Sequence, residues 1–175
     1  MSYKMTIELS DRDLRHFRRE LHKTRESVQI ADDEEILAAA VDLVTAMRRA
    51  DLPDFVAERL EKLETMLAMA GDTQWPLKDK ERAPILAGLA YLCDPEDLIP
   101  DDIPGIGMLD DAVMIELVFR ELHHELEAYD DYRKFRAQLL KDSAQADPTK
   151  IQQRLDRRRT QLLERMRRRK KSGER

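Results

Sequence analysis

One stretch of this sequence, Pro84 to Phe119, constrains the fold more than any other. It contains four of the seven prolines and three of the five glycines. An unbroken apolar run, PILAGLAYLC, comes first; an acidic, proline-rich loop follows, and a second apolar run begins at Leu109. Because Pro and Gly separate regular elements, this order predicts two buried helices joined by a loop. The stretch is therefore predicted to be a helical hairpin.

Apolar residues recur with helical spacing along most of the remaining chain. The spacing predicts helices over residues 11–26, 32–50, 52–71, 80–93, 110–140 and 148–171. Ser10 and Asp110 are predicted N-caps of the first and fifth helices, and Asp13 completes a capping box with Ser10. Alternating apolar and polar residues over Lys4 to Leu9 predict a short strand or an extended arm.

The composition also indicates helices. Charged residues make up 38% of the chain and aromatic residues 5%, which is typical of an all-helical protein. We predict an all-α fold, a multi-helix bundle around the central hairpin, followed by a basic C-terminal helix. The helix over residues 80–93 has almost no polar side and is expected to be buried in the core.

The net charge of −5 hides a strong asymmetry along the chain. Residues 150–175 contain twelve Lys or Arg and three acids, a charge of +9, which leaves −14 for residues 1–149. We therefore predict a helical domain over residues 1–145, including the hairpin, and a separate basic helix or tail over residues 146–175.

The sequence favours a reducing compartment. Cys93 is the one cysteine, so no internal disulfide can form. The first residues lack the apolar core of a signal peptide, and the longest apolar run is too short to cross a bilayer. We expect a cytoplasmic protein without a transmembrane segment.

The central stretch resembles the YkvA-like bacterial domain of unknown function, also called domain of unknown function 1232. The matching residues are Pro95, Asp97, Leu98, Ile99, Pro100, Asp101, Ile103, Pro104, Gly107, Asp110, Asp111 and Ala112. The resemblance covers Pro84 to Phe119 and implies a helical hairpin, but no catalytic residue. Glu96 departs from the family pattern, which has an apolar residue there, and makes the loop more acidic.

The acidic loop is the one candidate metal site. Hard cations such as Mg²⁺ and Ca²⁺ prefer several converging carboxylates, and a proline-stiffened loop could hold them together. The candidate ligands of a divalent cation are Asp97, Asp101, Asp102 and Asp111. The alternative, which we favour, is structural: Asp94 caps a turn opened by Pro95, Asp110 caps the long helix, and the other acids accept hydrogen bonds from loop amides.

Other signs of catalysis are weak. Glu121 and His124 form an E-x-x-H pair, half of what a di-iron helical bundle needs, but a second motif is missing. We therefore expect His123, His124 and Glu127 to face solvent. Cys93, at the end of the most apolar helix, is expected to be an inert thiol. No catalytic residue is predicted.

The basic tail is a candidate surface for nucleic acid or for an acidic partner. Its cations could neutralise phosphates, although no aromatic residue lies among them to stack on bases. The candidate contacts are Arg157, Arg158, Arg159, Arg167, Arg168, Arg169, Lys170 and Lys171. The alternatives are a solvated helix, or a helix docked on the acidic body of its own chain or of a neighbouring subunit.

These patterns favour a non-enzymatic protein-interaction or scaffold module, which binds a protein partner or its own copy. A metal-binding protein or metal-dependent enzyme using the acidic loop is the first alternative. Non-specific nucleic-acid binding by the tail is the second. A ribbon-helix-helix DNA binder is disfavoured, because Glu8 on the polar side of the N-terminal strand would repel phosphates.

Overall fold

The computed structural model describes residues 8–28, 32–94, 99, 108–142 and 147–173. Within these ranges the chain forms seven helices and no strand: α1 Asp11–Val28, α2 Asp33–Met47, α3 Asp54–Gly71, α4 Asp79–Leu92, α5 Leu109–Glu121, α6 His123–Asp142 and α7 Pro148–Ser172. The prediction of an all-α bundle is confirmed. Most of the predicted arm, Lys4 to Leu9, lies outside the described residues.

The first helix begins as the sequence predicts. The backbone N–H and the hydroxyl of Ser10 both donate to Oδ2 of Asp13, at 2.9 and 2.6 Å. These hydrogen bonds from Ser10 lower the pKa of Asp13. The last helix is capped in a related way, since Asp147 accepts a hydrogen bond from the amide of Thr149 at 2.9 Å.

The centre of the molecule is α4, and its predicted burial is confirmed. Its apolar residues from Pro84 to Leu92 are buried on nearly every side, with only Ala90 partly exposed. The helix contacts α1, α2, α3 and α5. The hairpin partner α5 approaches α4 most closely at Gly88, where an added Cβ would lie 2.8 Å from Cγ2 of Val118. Only glycine permits this distance between the two helices.

We expect Gly88→Ala to destabilise the protein by about 1–2 kcal/mol, because the added methyl group overpacks against the stiff Val118 side chain. This value is the net change in stability, because alanine otherwise stabilises a helix by roughly 1 kcal/mol relative to glycine. The measurement is the free energy of unfolding by urea. Val118→Ala in the same background should relieve the clash, so the two changes should be strongly non-additive. Additive effects would show that Gly88 is not needed for close packing.

The prediction of one long helix over residues 110–140 is wrong. The helix breaks at Leu122, whose φ of −102° and ψ of 11° are not helical. Leu122 is 1% exposed, and its amide still donates to the carbonyl of Val118 at 3.0 Å. Neither Pro nor Gly marks the break. The two halves have different partners, since α5 contacts mainly α3 and α4 whereas α6 contacts mainly α7, and tertiary packing therefore overrides the local helical preference.

Trp75, in the connector between α3 and α4, anchors α6 to the core. It is 1% exposed and contacts the rings of Tyr129 and Tyr132, with centroids at 5.7 and 5.2 Å. The Tyr129 hydroxyl donates to the carbonyl of Ala68 at 3.0 Å and lies 3.1 Å from Oδ2 of Asp72. Burial and the nearby charge of Asp72 raise the pKa of Tyr129 to about 12. Connector and helix are thus joined by stacking and by buried hydrogen bonds.

Candidate functional site

A groove opens where α5 runs beside α1 and α3. Its volume is about 360 Å³. The groove residues are Leu9, Leu14, Phe55, Arg59, Leu109, Ala112, Val113, Glu116, Leu117 and Arg120. Most of its floor is apolar, and most of these apolar side chains are partly exposed. The groove thus places several partly exposed apolar side chains of three neighbouring segments next to one another.

The groove exists because α5 is apolar on two opposite sides. Met114, Ile115 and Val118 are buried against the bundle. Leu109, Val113 and Leu117 follow at intervals of four residues on the other side, where they stay half-buried. The second stripe is only partly covered by α1 and α3, so it forms the floor of the groove.

The rim of the groove carries more positive than negative charge. Glu116 lies 2.6 Å from Lys62, 3.0 Å from Arg120 and 3.8 Å from Arg59. Burial opposes ionisation of Glu116, but hydrogen bonds from Lys62 and Arg120 outweigh it and lower the pKa of this carboxyl. Glu116 is therefore ionised at neutral pH, and one carboxylate faces three cations. The excess charge beside the apolar floor attracts a carboxylate on a ligand.

Three of the four predicted metal ligands, Asp97, Asp101 and Asp102, lie outside the described residues. Asp111 is half-buried in the first turn of α5. Across the described ranges no three His, Cys, Asp or Glu side chains are grouped so that they could hold a metal ion. Divalent-cation binding by the acidic loop thus stays a prediction. Burial, with a smaller contribution from the charge of Asp111, raises the pKa of Cys93, which agrees with an inert thiol.

Asp110 is not the N-cap of α5, contrary to the prediction. The helix begins at Leu109, and Met108 takes the cap position without a side-chain hydrogen bond. Asp110 is 1% exposed, and its Oδ2 accepts a hydrogen bond from the amide of Ile99 at 3.1 Å. The carboxylate therefore ties Ile99 to the first turn of α5, two residues beyond the N-cap position at Met108.

The expectations for the two histidines are also wrong. The break at Leu122 separates Glu121 from His124, so the pair does not share one side of a continuous helix. His124 is 6% exposed, not solvent-facing, and His123 is half-buried. Glu127 is exposed, but it pairs with Arg169 of α7 at 2.6 Å and not with a residue of its own helix. Glu121 and His124 therefore lack the shared helix side that an E-x-x-H metal site requires.

The basic helix α7 is docked along α6. Its apolar residues Leu155, Leu162, Leu163 and Met166 are all buried. The predicted apolar stripe is confirmed, and the docked alternative for the tail describes this structure. The division of the chain at residue 145 stays a prediction.

Docking divides the predicted tail cations into two groups. Arg167 lies 3.4 Å from the buried Glu81, Arg169 pairs with Glu127, and Lys170 pairs with Glu125, which is fully buried. Arg159 donates to the carbonyl of Gln74 at 3.0 Å, and Arg158 stacks over the ring of Phe135. Lys170 is itself exposed, as are Arg157, Lys171 and Arg168, of which Arg168 lies 4.0 Å from Glu164 of the same helix.

Sequence reasoning missed the groove. The prediction of one long helix over residues 110–140 does not distinguish Val113 and Leu117 from the buried apolar residues of that helix. The signal was the width of the apolar sector of α5, which is too broad for one packing side. The sequence also contains a second helical pattern, a row of arginines in α1 at i, i+3 and i+7 from Arg12.

Comparisons with known proteins identify the central helices. Residues 81–117 match the family model described as "Protein of unknown function (DUF1232)". This part of the chain is similar to the YkvA-like DUF1232 family. It comprises most of α4, the loop and most of α5, so the groove is built largely on the α5 side of the DUF1232 segment. The resemblance inferred from the loop residues is confirmed.

One curated relative also matches. It is described as "Uncharacterized membrane protein YkvA" from Bacillus subtilis (strain 168), and it is 37% identical over 49 residues. The matched region is 28% of this chain and 46% of the relative, so the chain spans about half the length of that protein. No solved structure matches the chain. In the part of the chain that the structure describes, no helix has the length and hydropathy needed to cross a bilayer.

Proposed function

We propose that this chain is a non-enzymatic protein-interaction module that binds an acidic amphipathic helix of a partner protein in the groove beside α5. The observation that carries the proposal is the pairing of an apolar floor with a positively charged rim. Half-buried side chains of α1, α3 and α5 form the floor, and Arg59 and Arg120 border it next to Glu116. The cytoplasmic location predicted from the sequence is part of this proposal.

A helix is the partner element that fits such a groove. An amphipathic helix presents apolar residues at i, i+3, i+4 and i+7, a stripe that lies along the second apolar side of α5. Flanking carboxylates on the partner would meet Arg120, whose side chain is 73% exposed. Charge complementarity of this kind speeds association and excludes basic partners.

The test uses a synthetic helical peptide with leucines at i, i+3, i+4 and i+7 and glutamates at the flanking positions. A twin peptide carries lysines instead of the glutamates. We expect fluorescence anisotropy to show binding of the acidic peptide that is at least about tenfold tighter than binding of the lysine twin. Leu117→Asp should weaken binding of the acidic peptide by about tenfold or more, because it puts a charge on the apolar floor.

The matched control is Val41→Asp. Val41 is a 50% exposed apolar residue on α2 and does not line the groove, so this change adds the same charge elsewhere. Binding should stay within about twofold of the unchanged protein. Equal binding of the two peptides, or equal losses in the Leu117 and Val41 variants, would contradict the proposal.

A further inference from the structure

The outer side of α1 carries a dense group of cations that the groove does not use. Arg12, Arg15, Arg18, Arg19 and His22 line a single concavity of about 600 Å³. We call these five residues the α1 basic face. The side chains of Arg12, Arg15, Arg18 and Arg19 are exposed.

The face results from the helical period. Leu14, Phe17 and Leu21 lie on the side of α1 that packs toward the core, and Leu21 is 3% exposed. Positions 12, 15 and 19 fall on the opposite side at spacings of three and four, so neighbouring arginines are roughly 5–6 Å apart at Cβ. From residue 12 to residue 22 the helix rises about 15 Å, which makes the face a line of positive charge.

These arginines interact little with acids among the described residues, although the charge of Arg12 contributes to the lowered pKa of Asp13. Within the described ranges, none of Arg12, Arg15, Arg18 and Arg19 belongs to an ion pair. Two nearby acids of α1 have other partners: Asp13 accepts hydrogen bonds from Ser10, and Glu20 pairs with Lys23 at 2.8 Å.

Helix α7 is different in this respect. It has more cations, but Arg167, Arg169 and Lys170 pair with acids of α4 and α6. Among the described residues, Arg154, Arg157 and Lys171 of α7 also lack an ion pair, but three other cations of α7 are held by acids of α4 and α6. On the α1 basic face none of the four arginines is held in this way within the described ranges.

We propose that the α1 basic face binds the phosphate backbone of nucleic acids without reading base sequence. Arginine forms two parallel hydrogen bonds to a phosphate, and a line of arginines matches the evenly spaced negative charge along a duplex. The face carries no aromatic residue apart from His22, so base stacking contributes little.

An anionic membrane surface is a poorer fit to the same face. Helices that bind at a bilayer surface insert an apolar side below the headgroups. In α1 most of that side is occupied, because Phe17 and Leu21 pack on the core, while Leu14 lines the groove. The binding therefore requires an extended polyanion in solution.

The experiment is fluorescence anisotropy of a labelled duplex DNA and a labelled duplex RNA with the full chain, at salt concentrations between about 50 and 200 mM. If four arginines each neutralise one phosphate, the slope of log K against log salt should be roughly −3 to −4. The variant Arg12→Gln/Arg15→Gln/Arg19→Gln should reduce the magnitude of this slope by about 2–3 and weaken binding at the lowest salt by at least tenfold.

The matched control is Arg154→Gln/Arg157→Gln/Arg168→Gln, which removes three exposed cations from the outer side of α7. It should leave the slope within about one unit of the unchanged protein. A larger effect of the α7 variant than of the α1 variant would overturn the proposal in favour of the tail. Binding to vesicles of anionic lipid in preference to either duplex would also overturn it, as would absence of duplex binding at low salt. Circular dichroism of each variant verifies that the fold is intact.

Discussion

Replacing Trp75 by alanine is expected to lower the free energy of unfolding by about 3–5 kcal/mol, the range for removal of a large buried aromatic side chain. The residue is 1% exposed, and its ring lies between the α3–α4 connector and the tyrosines of α6. Its removal leaves a cavity and also ends two aromatic contacts, each of which adds roughly 0.5–1.5 kcal/mol beyond burial. Because α7 packs along α6, we expect both helices to be destabilised together.

The measurement is urea unfolding followed by far-ultraviolet circular dichroism, because the variant lacks the chain's one tryptophan fluorophore. Trp75→Phe is the matched control, since it keeps an aromatic ring that still contacts Tyr129 and Tyr132. We expect the phenylalanine variant to lose less than half as much stability as the alanine variant. Equal losses, or a loss below about 1 kcal/mol in the alanine variant, would show that the connector is not part of the core.

Replacing Lys170 by methionine is expected to cost about 2–3 kcal/mol of stability. Glu125 is fully buried and its Oε1 pairs with Lys170, so the substitution leaves a buried carboxylate without this partner. Breaking a fully buried pair costs roughly 3–5 kcal/mol. The smaller value expected here reflects the 41% exposure of the lysine side chain, which already lets water reach the pair.

The double variant Glu125→Leu/Lys170→Met distinguishes two costs. One is the loss of the ion pair itself, and the other is the presence of Glu125 as a buried carboxylate without its cation. We expect it to recover most of the stability, because an apolar pair of similar size does not need to be solvated. Lys171→Met is the control, since its side chain is exposed and its loss should change stability by less than about 0.5 kcal/mol. A Lys170 variant as stable as the Lys171 variant would mean that α7 is held by its apolar side alone.

The parts of the fold that follow from local patterns could be predicted from the sequence. The hairpin is fixed by the order of its apolar runs and its prolines. Burial of α4 follows from a helix that lacks a polar side, and the docked side of α7 follows from four apolar positions at helical spacing. The Ser10 cap depends on only three neighbouring residues. In each case the physical cause lies within about one or two helical turns.

The errors have a common cause, namely contacts between residues far apart in sequence. Leu122 is a good helix former, and only its place between two sets of packing partners interrupts the helix. Asp110 has the chemistry of an N-cap, but it bonds to Ile99, eleven residues earlier. His124 belongs to a charged segment, yet its side chain is covered. The groove likewise requires three helices, and the wide apolar sector of α5 alone does not show which neighbours form its walls.

The docked position of α7 has a consequence for the order in which the protein is made. During synthesis α6 leaves the ribosome before α7. The side of α6 that α7 covers therefore stays exposed until the 25 residues of α7 have been added. At about 5–20 residues per second, adding those residues takes roughly one to five seconds. During this interval the nascent chain carries the buried carboxylates Glu81 and Glu125 without their cations, together with the uncovered surface of α6. The core is therefore complete only after α7 has been made, and slow translation of this arginine-rich helix would prolong the period in which that surface can aggregate.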